Sequence, residues 1–241
     1  MLLPLYVFAN INRSLTTYTG VKYAAPPVGK LRWNPPCAIE EYMRQNGTYG
    51  ATLDATKPGL KCFSGNPGWT AALADIGDTG VPTSTVGYGE DCLWLDVTVP
   101  NKPRSTALPV AVSIHGGGYV GGSNSPGYAT EFMKDADGSL IVIQIQYRLG
   151  AYGFLAGPEI SKDGGTQNAG LLDQRSALEW VQRNVAKFGG DPKKVTIWGG
   201  SAGGGSVFAQ MSLYGGQKTV PFRAGIAGEF FQPLLVKSLV A

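Results

Sequence analysis

The chain has 241 residues, 43% apolar and 15% charged, with 35 Gly, 16 Pro and a formal net charge of +3. Ample apolar residues and little net charge exclude disorder, the length allows one sizeable domain or two small ones, and the charge predicts no nucleic-acid partner. A single histidine, His115, excludes any multi-histidine metal site, so any Ser-His-Asp chemistry must use His115 or lack its base.

Residues 2–9 are apolar but short, broken by Pro4 and without a basic start. They make neither a complete signal peptide nor a membrane span, and fit a trimmed signal remnant or a first strand. Residues 1–90 are rich in Pro, Gly, Thr and Asn, which predicts small strands and long surface loops rather than helices. Three cysteines, Cys37, Cys62 and Cys92, are too few for a disulfide scaffold and lack metal-ligand spacing. One bridge and one spare thiol fit a secreted chain. In that setting the sequons at Asn12 and Asn46 are glycosylation acceptors.

From Asp91 the texture changes. Residues 92–99 (CLWLDVTV) alternate like a strand covered on one face, and 110–114 (VAVSI) and 140–147 (LIVIQIQY) read as buried strands. Leu171, Leu178, Val181, Val185 and Phe188 share one face of a helix closed by Gly189 and Gly190. Residues 195–198 (VTIW) form another buried strand, 202–213 a second helix, and a helical tail runs from 213 to 241. Strands alternating with helices imply an α/β domain with a parallel sheet and right-handed crossovers. No repeat or linker divides the chain, so one domain is expected.

Two Gly-rich segments lie at strand ends, where such sheets gather their reactive groups. Gly199, Gly200, Ser201, Ala202 and Gly203 fit G-x-S-x-G between a strand and a helix, a sharp turn that lifts a serine hydroxyl clear of the sheet. The helix that starts there aims its N-terminal amides at the point of attack. His115, Gly116, Gly117 and Gly118 follow the strand ending at Ile114. In a serine hydrolase the amides of Gly117, Gly118 and Ala202 would surround a developing oxyanion. Gly116 to Gly121 also match G-x-G-x-x-G, but a dinucleotide site needs a helix to open there and a loop follows instead. The aromatics Trp69, Tyr119 and Phe154 fit either an apolar substrate pocket or ordinary packing.

With these segments in place, the chain resembles the type-B carboxylesterase and cholinesterase family of α/β-hydrolases. The matching stretches are residues 19–33 (TGVKYAAPPVGKLRW), 90–97 (EDCLWLDV), 115–118 (HGGG), 147–150 (YRLG), 168–175 (NAGLLDQR), 188–192 (FGGDP) and the Ser201 turn. The resemblance implies the N-terminal portion of an α/β-hydrolase fold, a mixed, mostly parallel sheet flanked by helices. It implies a carboxylic-ester hydrolase that forms an acyl-enzyme on Ser201, with a small-molecule ester as substrate and no cofactor or metal. It also implies a Cys62–Cys92 disulfide, leaving Cys37 without a partner, and a secreted or luminal protein.

Two departures bear on activity. The family usually carries Glu before the nucleophile, where this chain has Gly200. Family members also run to about twice this length, with their catalytic acid and histidine in the half this sequence lacks. The pattern stops at Ala227, so 1–241 reads as an incomplete domain with a divergent tail at 228–241, a truncated product. His115 opens the glycine loop and is expected to position it rather than serve Ser201; Asp173, Glu179 and Asp191 then have no base to orient. The chain as written is expected to be inactive or very weak, and the alternative is a non-catalytic relative or binding protein. An exposed sheet edge beyond the Ser201 strand is expected to offer a route to self-association.

Overall fold

The β-branched and apolar runs become the centre of one sheet. The computed structural model describes residues 6–8, 10–11, 14–65, 87–124 and 132–230. Its strands in chain order are β1 (Tyr6–Phe8), β2 (Asn10–Ile11), β3 (Leu15–Lys22), β4 (Leu53–Asp54), β5 (Lys61–Cys62), β6 (Tyr88–Gly89), β7 (Trp94–Pro100), β8 (Leu108–Ile114), β9 (Ile141–Ile145), β10 (Gly190–Ser201) and β11 (Ala224–Phe230). Seven of them form a sheet in the order β11-β10-β8-β9-β7-β3-β2. β11, β10, β8 and β9 run parallel, while β7, β3 and β2 are each antiparallel to the neighbour before them.

The order of the strands locates a crevice. After β8 the chain crosses to β9 on one side, and after β10 it crosses to β11 on the other. The carboxyl ends of β8 and β10 therefore flank a topological switch point, where two loops diverge and leave room between them. Both Gly-rich segments sit there, and the register that pairs Trp198 with Ser113 fixes their relative height.

Among the helices are α1 (Ile39–Gln45), α2 (Gly150–Phe154), α3 (Pro158–Lys162), α4 (Ala169–Asn184) and α5 (Ala202–Ser212). The face expected of α4 is buried: Leu171, Leu178, Val181 and Val185 pack into the core with Val112, Ile114, Ile143 and Ile197. Each such side chain contributes roughly 1.5–3 kcal/mol by leaving water. Helices α4 and α5 lie side by side. Gln174 Nε2 donates to Ser206 Oγ at 2.9 Å, and Arg175 Nε donates to Gln210 Oε1 at 3.0 Å. These buried polar pairs fix the rotation of α5, and with it the turn that α5 begins.

Cys62 and Cys92 form a disulfide across a sequence separation of 30, and Cys37 is free. Closing a loop of that size contributes roughly 3–4 kcal/mol in the chain-entropy model.

Two expectations need correction. Residues 39–45 form a helix inside the region read as strands and loops, because Ile39 and Met43, one turn apart, are both buried against the core. Over residues 213–230 the expected helical tail is absent: short turns follow Leu213, and then β11 adds in parallel to β10, pairing Thr196 with Ala224 and Trp198 with Ile226. Small residues favour that strand, since a Cβ on Gly225 would stand 2.9 Å from Val207 of α5. The strand also runs three residues past Ala227, while residues 231–241 lie outside the described set.

Candidate active site

Strand β10 delivers Ser201 to the switch point in a conformation that few residues adopt. Its backbone lies at φ 55° and ψ −124°. A non-glycine residue held there costs of order 1–3 kcal/mol, so the surroundings must enforce it. They do so by close approach. A Cβ on Gly199 would lie 2.7 Å from the Ile114 carbonyl oxygen, and a Cβ on Gly203 would come closer still. With both glycines present, β10, the end of β8 and the first turn of α5 close on one another, and the serine between them absorbs the strain. Ala202, the first residue of α5, is fully buried.

Strand β8 delivers the second segment. Beyond Ile114 the chain turns through positive φ at Gly117 (112°), Gly118 (63°) and Tyr119 (62°). The amides of Val120 and Gly121 both donate to the Gly117 carbonyl, at 3.1 and 2.9 Å, and the Gly150 amide donates to Tyr119 O at 2.8 Å. Gly116 joins the two segments: a Cβ there would lie 2.8 Å from Gly200 O and 3.2 Å from Ser201 Cβ. The structure thus brings Ser201 and the start of the glycine loop into contact.

His115 faces away from that chemistry. Its Nδ1–H donates to its neighbour's carbonyl, Gly116 O, at 2.8 Å. Its ring stacks on Tyr147 at 4.3 Å and 18°, and Tyr147 Oη donates to His115 O at 2.8 Å. Loss of solvent around the imidazole lowers its pKa to about 4, so it is neutral at pH 7. No hydrogen bond joins it to Ser201 among the described residues. Asp173 is committed elsewhere: it forms a two-pronged ion pair with Arg148 at 2.8 and 2.7 Å, with both side chains buried. Arg148 also donates to Arg32 O and Asn34 O, pinning the N-terminal segment to α4.

A cavity of about 240 Å³ opens at the same strand ends, walled by Ser113, His115, Gly116, Asn124, Trp198 and Gly200, among others. Gly200 leaves its side of this wall open, since the nearest atom to a Cβ there would be Gly228 O at 3.8 Å. Tyr119 and Phe154 pack on each other with ring centres 5.0 Å apart, and Tyr119 is buried, so their role is packing beneath the loop. Trp69 and Asn12 lie outside the described residues, and Asn46 is exposed at the end of α1. Among the described residues no cluster of three or more His, Cys, Asp or Glu could hold a metal ion. No described helix is long and apolar enough to cross a membrane.

Sequence reasoning missed three linked polar residues that lead toward His115: buried Asp96 and Gln146, and half-buried Asn124. Their signal was a polar residue inside a strand run, as in the Asp of LWLDV and the second Gln of IQIQ.

The chain is similar to known proteins over most of its length. A family model described as the carboxylesterase family matches residues 6–227. Secreted lipase 1 of Botryotinia fuckeliana is 42% identical over 220 residues, spanning 88% of this chain and 38% of that protein. Carboxylesterase patB of Aspergillus clavatus is 36% identical over 242 residues, spanning 86% of this chain and 42% of that protein. The crystal structure of Aspergillus niger EstA superposes with a TM-score of 0.72 at 34% identity, covering 88% of this chain and 37% of EstA. A PNB esterase structure gives a TM-score of 0.75 at 33% identity, covering 95% of this chain and 44% of that one. The chain spans less than half the length of each of these relatives.

Proposed function

Because the chain belongs to the carboxylesterase family, we propose that it carries the acylation site of a carboxylic-ester hydrolase, with Ser201 as nucleophile. The observation that supports this best is the strained backbone of Ser201 at the β10–α5 junction, in contact with the loop that begins at Gly116. Ser201 Oγ attacks the ester carbonyl, its hydroxyl proton passing by way of solvent to the departing alkoxide oxygen, and the amides of Gly117, Gly118 and Ala202 receive the oxyanion. Collapse expels the alcohol and leaves an acyl-serine, which water then hydrolyses. Losing one oxyanion donor costs roughly 3–4 kcal/mol of transition-state stabilisation.

The 241 residues supply no histidine base for this step, since their one histidine is neutral and turned to Gly116, with Nε2 buried. Removing such a histidine has cost about a millionfold in kcat in a serine protease, while an oxyanion site and binding leave roughly a thousandfold over water. The chain alone therefore turns over esters very slowly, and its substrate is a small-molecule carboxylic ester. The second reading, a non-catalytic binding protein, is favoured by that same missing base.

Secretion is part of the proposal. The chain's relatives include proteins named as secreted lipases, and the Cys62–Cys92 bridge and the exposed Asn46 acceptor suit an oxidising compartment. The β11 edge, where Ile226 is exposed, is proposed as a self-association surface.

The test is covalent labelling of Ser201 by a fluorophosphonate, read by mass spectrometry of the intact chain and its peptides. Serine oxygen displaces fluoride at phosphorus, and the hydroxyl proton passes to buffer. Added imidazole supplies the missing base and should accelerate labelling, while Ser201→Ala should abolish it. Labelling spread over other hydroxyls, or equal in Ser201→Ala, would overturn the proposal.

A further inference from the structure

A string of hydrogen-bonded polar groups, buried at Asp96 and Gln146 and half-buried at Asn124, runs from β3 to the glycine loop. Asp96, on β7, accepts the Gly20 amide at Oδ1 (2.8 Å) and the Asn124 side-chain amide at Oδ2 (2.5 Å). Asn124 Oδ1 in turn accepts from Gln146 Nε2 at 3.0 Å. Gln146 then presents its remaining atom, Oε1, toward the imidazole of His115, whose charged form it favours although no hydrogen bond of normal geometry joins them. An ionised carboxylate only accepts, so Asp96 forces Asn124 to turn its NH2 toward it and its oxygen toward Gln146. Gln146 must then turn its NH2 to Asn124 and its oxygen to His115.

The far end of the string is frustrated. His115 Nδ1 carries the proton donated to Gly116 O, which leaves Nε2 as an acceptor. Gln146 Oε1 is an acceptor too, and both atoms are buried without a partner among the described residues. The string is one proton short. A proton on Asp96 would let it donate to Asn124 and allow both amides to turn over, so that Gln146 Nε2 could donate to His115 Nε2. A proton on Nε2 would satisfy Gln146 Oε1 directly.

We infer that Asp96 is a positioning residue for the glycine loop: through Asn124 and Gln146 it decides which atom His115 Nε2 meets at the root of that loop. Burial raises the pKa of Asp96 to about 6 and lowers that of His115 to about 4, so the first proton enters at the Asp96 end. The other titratable group facing His115 is Tyr147, whose hydroxyl burial holds in its neutral form. Facing Asp96 are the Gly20 amide and Asn124; the nearby lysine on β3, Lys22, is paired with Asp91 at 2.9 Å.

The inference rests on reading the loop as an oxyanion site, but its test needs no substrate, so the two can fail separately. His115 is the chain's only histidine, and its two ring nitrogens are therefore unambiguous in a long-range ¹H–¹⁵N spectrum of the full chain. Asp96→Asn, which can donate to Asn124, should shift the Nε2 resonance toward a hydrogen-bonded acceptor and move the Gly117 and Gly118 amide signals with it. Gln146→Glu, placing a carboxylate against Nε2, should raise the His115 titration midpoint by about 1–3 units. Should Asp96→Asn fail to fold, Gln146→Glu alone decides. Ring and amide resonances that superimpose on those of the wild type, or an unmoved midpoint in Gln146→Glu, would overturn the inference.

Discussion

The carbonyl oxygen of Ile114 stands where a Cβ on Gly203 would have to be, at less than 3.0 Å from that point. The end of β8 therefore rests directly on the first turn of α5, and the strained Ser201 is held between them. Gly203→Ala should cost about 1–3 kcal/mol, the range for overpacking a rigid contact. Gly200→Ala, one residue before the serine, meets nothing closer than 3.8 Å and should stay within about 0.5 kcal/mol of the wild type. Urea denaturation of the two variants checks the contrast, and equal losses would contradict it.

Arg148 and Asp173 form the second fixed point. Their fork is buried, and four further hydrogen bonds with backbone groups tie it to the N-terminal segment and to β9's continuation. Removing one charge strands the other, so Asp173→Asn or Arg148→Met alone should cost about 3–5 kcal/mol. A combined double variant should cost less than the sum of the two. Additive losses would show that the pair is not coupled.

Stability should carry a signature of the buried string in mildly acidic solution. Asp96 has a raised folded pKa of about 6 against 3.8, so its contribution is full below about pH 4 and is lost as pH rises through 6. His115 has a lowered folded pKa of about 4 against 6.5, so its contribution is present above about pH 6.5 and is lost as pH falls through 4. The two oppose each other over one window. Asp96→Asn removes only the first, so between pH 4 and 7 the variant should gain up to ~3 kcal/mol relative to the wild type. Parallel stability profiles would refute this.

Among the described residues no strand pairs with the outer edge of β11, where Ile226 is 61% exposed. Concentration-dependent self-association should follow and should be weakened by Ile226→Lys, which places a charge on the edge. Sedimentation velocity reads this; a monomer at every concentration, or an unchanged variant, would count against the proposal.

The elements legible in the sequence were those whose cause is local. β8, β9 and residues 195–198 of β10 are apolar or β-branched runs of strand length, and α4 announces itself through one repeating face. The Ser201 turn was legible because its glycines answer to close approach, a requirement written in residue type. Strand β11 was not, since Ala-Gly-Ile-Ala-Gly has little pattern of its own and becomes a strand by pairing with β10 and fitting under α5. Nor was the short helix α1, whose two buried residues are too few to mark a period. The Asp96–Asn124–Gln146 string depends on β7, a loop and the segment after β9 meeting in space, which no single stretch records.

Site-resolved labelling by a fluorophosphonate, with and without imidazole, tests the central assignment most directly. A single adduct on Ser201, formed faster with imidazole and absent from Ser201→Ala, is the predicted result. Adducts elsewhere, or a Ser201 that stays unmodified while imidazole is present, would contradict it.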